Sequence, residues 1–214
     1  GWLEGCMHLS RLGCLFGQQH VRRLIQHTRP AKIFMNHPKS NTAFTIMKID
    51  IGCGRSKKDG FIGVDMQKTS CVDILSNVDY GLPFADDSIE EVYSSHTIEH
   101  LTNCDQFLRE LARVCKSGTL VELRMPYYSY KFALNPGHKY VFSDDWFQEV
   151  VRDFYSDLFS IEKVEYKECL GVREELKKYG IEFSFAKKHL NNVVEDFTIY
   201  LRVVKVPTTH EKKL

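Results

Sequence analysis

The chain has 214 residues, 43% hydrophobic, 12% aromatic and 27% charged, the balance of a globular domain long enough for one substantial core and too short for two of ordinary size. A formal net charge of +1 gives no strong signal for nucleic acid, and no apolar run reaches the roughly 20 residues that span a bilayer. Seven cysteines, an odd number without a C-x-x-C pair, exclude a disulfide framework and a cysteine-rich zinc knuckle and imply reduced thiols and a cytoplasmic location.

Residues 1–46 form a basic N-terminal extension, expected to be partly ordered. Arg11, Arg22, Arg23, Arg29, Lys32 and Lys39 stand there against the single acid Glu4. A basic arm, an acid-poor targeting segment and a packed cap all fit that charge. Poverty in serine counts against a transit peptide, and the lack of a bounded apolar stretch counts against a secretory signal.

Regular alternation starts at residue 47. Met47 to Ile51 reads as a strand running into Gly52-Cys53-Gly54, and Phe61 to Asp65 as a second strand ending on a carboxylate. Ile89 to Ser95 is a third strand. In Asn103 to Cys115, Phe107, Leu108, Leu111, Ala112 and Cys115 fall at helical spacing, and Ser117-Gly118 is expected to stop that helix before a strand over Thr119 to Met125. Ser143-Asp144-Asp145 offers an N-cap and first-turn acids for a helix through Phe154. Strands over Phe159 to Tyr166 and Phe197 to Val206 follow, with a helix over 171–179 between them. This is an α/β pattern: a Rossmann-like, mostly parallel sheet with helices on both faces, spanning 47–206, with a charged tail at 207–214. Ligands of such sheets sit beyond the carboxyl ends of the strands.

Those ends carry the chemistry. Gly52 and Gly54 let the backbone turn sharply and approach a ligand, and Asp65 is placed to accept hydrogen bonds from ribose hydroxyls. Each alone reads as a tight turn or a solvated carboxylate. Asp50, Gly52, Gly54 and Asp65 on consecutive strand ends together point to a nucleoside-containing ligand.

The runs IDIGCGRSKKDGFIGVD and CVDILSNVDYGLPFADDSIEEVYSSHTIEHL, followed by the helix and TLVELRMPYY, resemble the class I S-adenosylmethionine-dependent methyltransferases, in particular their small type-11-like group. The resemblance spans roughly residues 47–155, and the two last strands suit the antiparallel pair that completes that fold. It implies S-adenosylmethionine as cofactor. Asp50 and the Gly52-Cys53-Gly54 turn would hold its methionine part, Asp65 followed by Met66 the ribose, Asp73 with Ile74 the adenine, and His96 would stand beside the sulfonium. The sequence departs from the family at Arg55-Ser56, where a third glycine or small residue is usual. The span 50–60 also falls short of the dozen residues a parallel crossover needs, so the usual first helix is expected to shrink to about a turn. A dinucleotide fits less well, because its pyrophosphate wants a glycine-rich turn opening a full helix. The sulfonium is a cation that the faces of Tyr93, Tyr127 or Tyr128 could favour.

Ser94 to Leu101, SSHTIEHL, also satisfies the H-x-x-E-H pattern of one class of zinc peptidases. That chemistry needs a third protein ligand and a long helix before the motif, whereas a strand precedes it, so no metal is expected. On the methyltransferase reading, Ile98 and Leu101 pack inward, His96 and Glu99 face the cofactor, and His100 bonds to backbone. In the loop Asn135-Pro136-Gly137-His138, His138 is the candidate base or acceptor anchor, with His96 as the alternative catalytic residue. Pro136-Gly137 is a possible hinge, and Tyr127, Tyr128 and Tyr130 are candidate acceptor-wall residues. The resulting expectation is methyl transfer to a small-molecule or glycan-like acceptor by alignment of donor and acceptor. The alternative is a non-catalytic binding or scaffold module of the same fold.

Overall fold

The structure is a computed structural model, and it describes residues 46–205. The basic extension up to residue 45, Val206 and the charged tail lie outside the described residues.

Seven strands form one sheet in the order β3-β2-β1-β4-β5-β7-β6. They are β1 Lys48–Ile51, β2 Ile62–Asp65, β3 Ile74–Leu75, β4 Ile89–Ser95, β5 Cys115–Pro126, β6 Phe159–Glu168 and β7 Val194–Val203. β1 pairs in parallel with both β2 and β4, β2 with β3, and β4 with β5. β7 is antiparallel to both β5 and β6. Central β1, Lys-Ile-Asp-Ile, is buried from Ile49 through Asp50 to Ile51, as a parallel strand covered on both faces must be. The helices are α1 Cys104–Val114, α2 Asp144–Phe154, α3 Val172–Tyr179 and α4 Phe183–His189. α1 is amphipathic: Phe107, Leu108, Leu111 and Ala112 are buried, and the Asn103 side chain caps it by accepting from the Gln106 amide. Ser143 caps α2 in the same way through Trp146.

The expected elements form with shifted ends. Ser117-Gly118 do not stop α1. The helix ends at Val114, because Cys115 already pairs with Ile89, and Gly118 lies inside β5 with φ +87° where the register slips between Ile89 and Glu91. No helical turn forms between β1 and β2: residues 52–61 are turns and irregular chain. β3 has two residues, too few to show a period, and α4 was not anticipated. Among the described residues, no helix is long and apolar enough to cross a membrane.

Candidate active site

The sheet order reverses between β1 and β4. From β1 the chain steps outward to β2 and β3, then returns to lay β4 on the other side, which leaves a crevice at the carboxyl ends of these strands. Gly52 leaves β1 with φ +72°, its amide donating to the Val64 carbonyl at 2.8 Å. A Cβ at that position would lie 1.9 Å from Thr97 Oγ1, so only glycine fits. Gly54, also left-handed at φ +54°, donates its amide to Asp65 Oδ2 at 2.9 Å, and Gln67 donates to Asp65 Oδ1 at 2.7 Å. Asp50 is buried, and its Oδ2 accepts from the Lys58 amide at 2.7 Å. Burial pushes its pKa up, against the Lys58 hydrogen bond. This bond closes the short β1–β2 connection in place of a helix.

A cavity of about 370 Å³ occupies the crevice. Gly52, Asp65 and Met66 line one side, Asn77 and Asp79 another, and His96, Thr97 and His100 a third. Asp50, Cys53 and Gly54 do not line it. Burial pushes the Cys53 thiol up to about 11, and its Sγ faces the Cys71 carbonyl. Asp73 and Ile74 are not on the wall: Asp73 Oδ2 accepts from Lys57 Nζ at 2.6 Å and from the Gly63 amide at 2.8 Å. Lys57 holds that carboxyl below its usual range. Ser76, Asn77 and Val78, just after β3, line the cavity instead. The Tyr93 face is covered by Lys58 Nζ, 4.3 Å from the ring centroid.

A second cavity of about 350 Å³ adjoins the carboxyl ends of β4 and β5 and shares His96 with the first. Tyr130, Phe132, Asn135 and His138 contribute to it from the chain after β5, and Arg124, Lys167, Glu195 and Asp196 from β5, β6 and β7. Tyr127 is not part of this wall. It is 1% exposed, with its hydroxyl donating to Asp144 Oδ1 at 3.0 Å. Tyr128 donates to the Lys188 carbonyl and also lies off the cavity. Arg124, Lys167 and Asp196 were not found from sequence, since antiparallel pairing of distant strands assembles them and no local motif marks them.

His96 sits between the cavities with φ +53°, an uncommon backbone for a residue with a side chain and one seen at functional turns. Its Nε2 is 3.6 Å from Asp196 Oδ1 and its Nδ1 3.3 Å from Glu99 Oε1. Asp196 first and Glu99 second push its pKa up to about 9, against burial. At neutral pH it is therefore an imidazolium without a lone pair. Glu99 does not face either cavity. It is 1% exposed, and neither carboxylate oxygen has a hydrogen-bond partner. Ile98 and Leu101 are buried, as expected.

The loop carrying His138 is fastened to the turn after β4. The amides of Lys139 and Tyr140 both donate to the Glu99 carbonyl, at 2.7 and 3.2 Å. His100 Nδ1 is 3.0 Å from the Gly137 carbonyl, and His138 Nδ1 is 3.0 Å from the Ala133 carbonyl. A carbonyl only accepts, so both rings carry a proton on Nδ1, and in the neutral ring the lone pair is on Nε2.

Residues 49–122 match the family model described as a methyltransferase domain. That segment is similar to a methyltransferase domain. Its sheet is similar to that of a SAM-dependent methyltransferase from Archaeoglobus fulgidus, at 18% identity and a TM-score of 0.57 over 74% of this chain and 86% of that one. It is also similar to the YcgJ protein from Bacillus subtilis, at 15% identity and a TM-score of 0.51 over 76% and 93% of the two chains. The [4+2]-cyclase SpnF shares the fold at 14% identity and a TM-score of 0.51 over 75% and 76%. No curated protein matches the chain significantly in sequence.

A SAM-dependent methyltransferase shares this sheet, and the wall of the first cavity carries groups that suit such a cofactor. Each oxygen of Asp65 takes one backbone amide and keeps a lone pair for a further donor. Asp79, fixed by the Thr102 amide at 2.7 Å, adds a second carboxylate to the wall. Two carboxylates suit a cationic, hydroxyl-bearing ligand and oppose a pyrophosphate.

Proposed function

We propose that the protein is an enzyme that transfers a methyl group from S-adenosylmethionine to a small-molecule or glycan-like acceptor, with the cofactor in the first cavity and the acceptor in the second. The observation that carries this reading is that the two cavities meet at His96, so a donor and an acceptor can be held side by side. Alignment of this kind supplies up to roughly 7–11 kcal/mol of a transfer barrier. Bound there, S-adenosylmethionine supplies an activated methyl group. Asp65 would hold the ribose, the glycine turn after β1 the methionine part, and the chain after β3 the adenine.

The second cavity sets the rings of Tyr130 and Phe132, 5.4 Å apart and edge to face, among Asn135, Lys167, Glu195 and Asp196. Aromatic faces ringed by charged and amide groups suit a polyhydroxylated molecule, which has both an apolar face and many hydroxyls. His138 borders this cavity with a lone pair on Nε2, the group fitted to meet an acceptor hydroxyl or amine. Among the described residues, five cysteines are free thiols, which supports action in the cytoplasm.

The likeness to a protein titled a [4+2]-cyclase favours a second reading, in which the fold serves without methyl transfer. Incubation with methyl-labelled S-adenosylmethionine and a panel of sugars and hydroxylated metabolites separates the two. Label should enter an acceptor in the panel. Binding of S-adenosylhomocysteine with no transfer to any acceptor would favour the second reading, and no binding would overturn both.

A further inference from the structure

Three acceptor groups converge where the turn after β4 meets the loop after β5. One ligand atom from each of Glu99, His100 and His138 can be chosen so that all three lie within 4.8 Å of one another. The backbone carbonyls of Gly137 and Ala133 take the Nδ1 protons of the two rings, which leaves Nε2 of each as a lone pair. Glu99 is 1% exposed, and both of its oxygens lack a hydrogen-bond partner. A buried carboxylate in that state is costly and needs an explanation. His96 Nδ1 stands 3.3 Å from Oε1 and contributes charge, yet it leaves both oxygens without a hydrogen bond. One water has two hydrogens and cannot serve three acceptors, whereas a dication satisfies all of them.

We infer that Glu99, His100 and His138 form a binding site for a divalent first-row transition-metal ion. Two imidazoles and a carboxylate select such ions over magnesium or calcium, which prefer all-oxygen shells. Metal–ligand bonds of about 2.0–2.2 Å place ligand atoms roughly 3–4 Å apart, so on binding the ligand atoms draw closer than the 4.8 Å within which they now lie. The Nδ1 bonds to backbone carbonyls are the outer contacts that fix tautomer and ring orientation in histidine metal sites. A strand, not a helix, precedes the motif, and the third ligand comes from a distant loop, so this is not the peptidase arrangement.

Three protein ligands leave coordination positions open to water or to another oxygen. His138 borders the second cavity and His100 the first. On the methyltransferase reading, and resting on it, His138 acts on the acceptor through the ion: its lone pair ligates the ion, and the ion, in place of the ring itself, orients an acceptor hydroxyl, so chelation should stop transfer and leave S-adenosylhomocysteine affinity unchanged.

The ion itself is tested without any acceptor. Full-length protein, stripped with chelator and desalted, is titrated with Co²⁺ and followed by visible absorption and calorimetry. One equivalent should bind, without the intense near-ultraviolet band that cysteine thiolate ligation would give. His138→Ala and Glu99→Gln should each weaken it at least tenfold, about the smallest effect seen for metal-site partners. The loaded wild type should melt higher than the ion-free form, and Glu99→Gln should lose that difference while remaining folded. No binding, or equal affinity in wild type and both variants, overturns the site. S-adenosylhomocysteine affinity measured on the same samples separates the two proposals: retained affinity with no ion removes the metal site alone, and an ion site without nucleoside binding removes the methyltransferase reading alone.

Discussion

The rings of His100 and His138 meet edge to face, 4.7 Å between centroids at 82°, although one follows β4 and the other lies in the loop after β5. Backbone hydrogen bonds hold them there. The Glu99 carbonyl receives the amides of Lys139 and Tyr140, so Pro136-Gly137 lies in a loop already fastened over the carboxyl end of the sheet. His138 is thus placed before any acceptor arrives.

His138→Ala should lower methyl-transfer turnover by about 10²–10⁴-fold, the range for a group that handles the acceptor's proton or oxygen. S-adenosylhomocysteine affinity should stay within about threefold, because His138 borders only the second cavity. Steady-state kinetics and calorimetry on one preparation check both. An equal loss of affinity and turnover would move His138 out of the acceptor site.

Asp65→Ala should weaken S-adenosylhomocysteine by about 2–4 kcal/mol, as expected for loss of two charge-assisted hydrogen bonds. Part of the loss reflects the turn itself, since Asp65 also anchors the amides of Gly54 and Gln67. Asp65→Asn, which keeps one acceptor oxygen, should fall between wild type and alanine. Affinity unchanged in the alanine variant would place the ribose elsewhere.

Two left-handed glycines should respond differently to alanine. Gly60, at φ +79°, has nothing within 4 Å of the point where an added methyl group would stand, so Gly60→Ala should cost only backbone strain, about 1–2 kcal/mol. Gly52→Ala adds a collision with Thr97 and should cost more, with loss of nucleoside binding. Urea unfolding of the two variants gives the comparison, and equal costs would contradict the close approach of Thr97.

Asp144 is buried, and it accepts from the Tyr127 and Tyr166 hydroxyls at 3.0 and 2.6 Å and from Lys187 Nζ at 2.7 Å. Burial raises its pKa, but the Lys187 and tyrosine hydrogen bonds outweigh burial and hold it below the ordinary 3.8. A folded-state pKa below the unfolded one means that this stabilisation is complete above the ordinary value and is lost as pH falls through the folded one. Asp144→Asn should therefore cost about 3–5 kcal/mol near neutral pH, as for a broken buried pair, and should flatten the loss of stability below about pH 4. A variant with unaltered stability would show that Lys187 and the two tyrosines are satisfied without the carboxylate.

Local pattern made much of this protein legible. β1, β2, β4 and α1 show in short apolar runs and helical spacing, because each buries a face whose period is set by its own backbone. The glycine turn and Asp65 were readable for a related reason: a left-handed turn and a strand-end carboxylate are requirements of adjacent residues. β3 was invisible, since two residues hold no period, and the extent of β5 was set by pairing with β4, not by Ser117-Gly118.

What sequence alone determined, then, is the succession of the longer strands and helices, the glycine turn and the strand-end carboxylate Asp65, all fixed by neighbours along the chain. Only the tertiary structure decided that Asp73 turns to Lys57, that Tyr127 is committed to Asp144, and that Arg124, Lys167 and Asp196 share a wall. It alone brought His138 against His100 and left the buried Glu99 with His96 as its ion-pair partner and no hydrogen bond. These relationships depend on the β4–β5–β7 register and on the Glu99 carbonyl clamp, which join residues distant in sequence, and no local spacing encodes such long-range pairing.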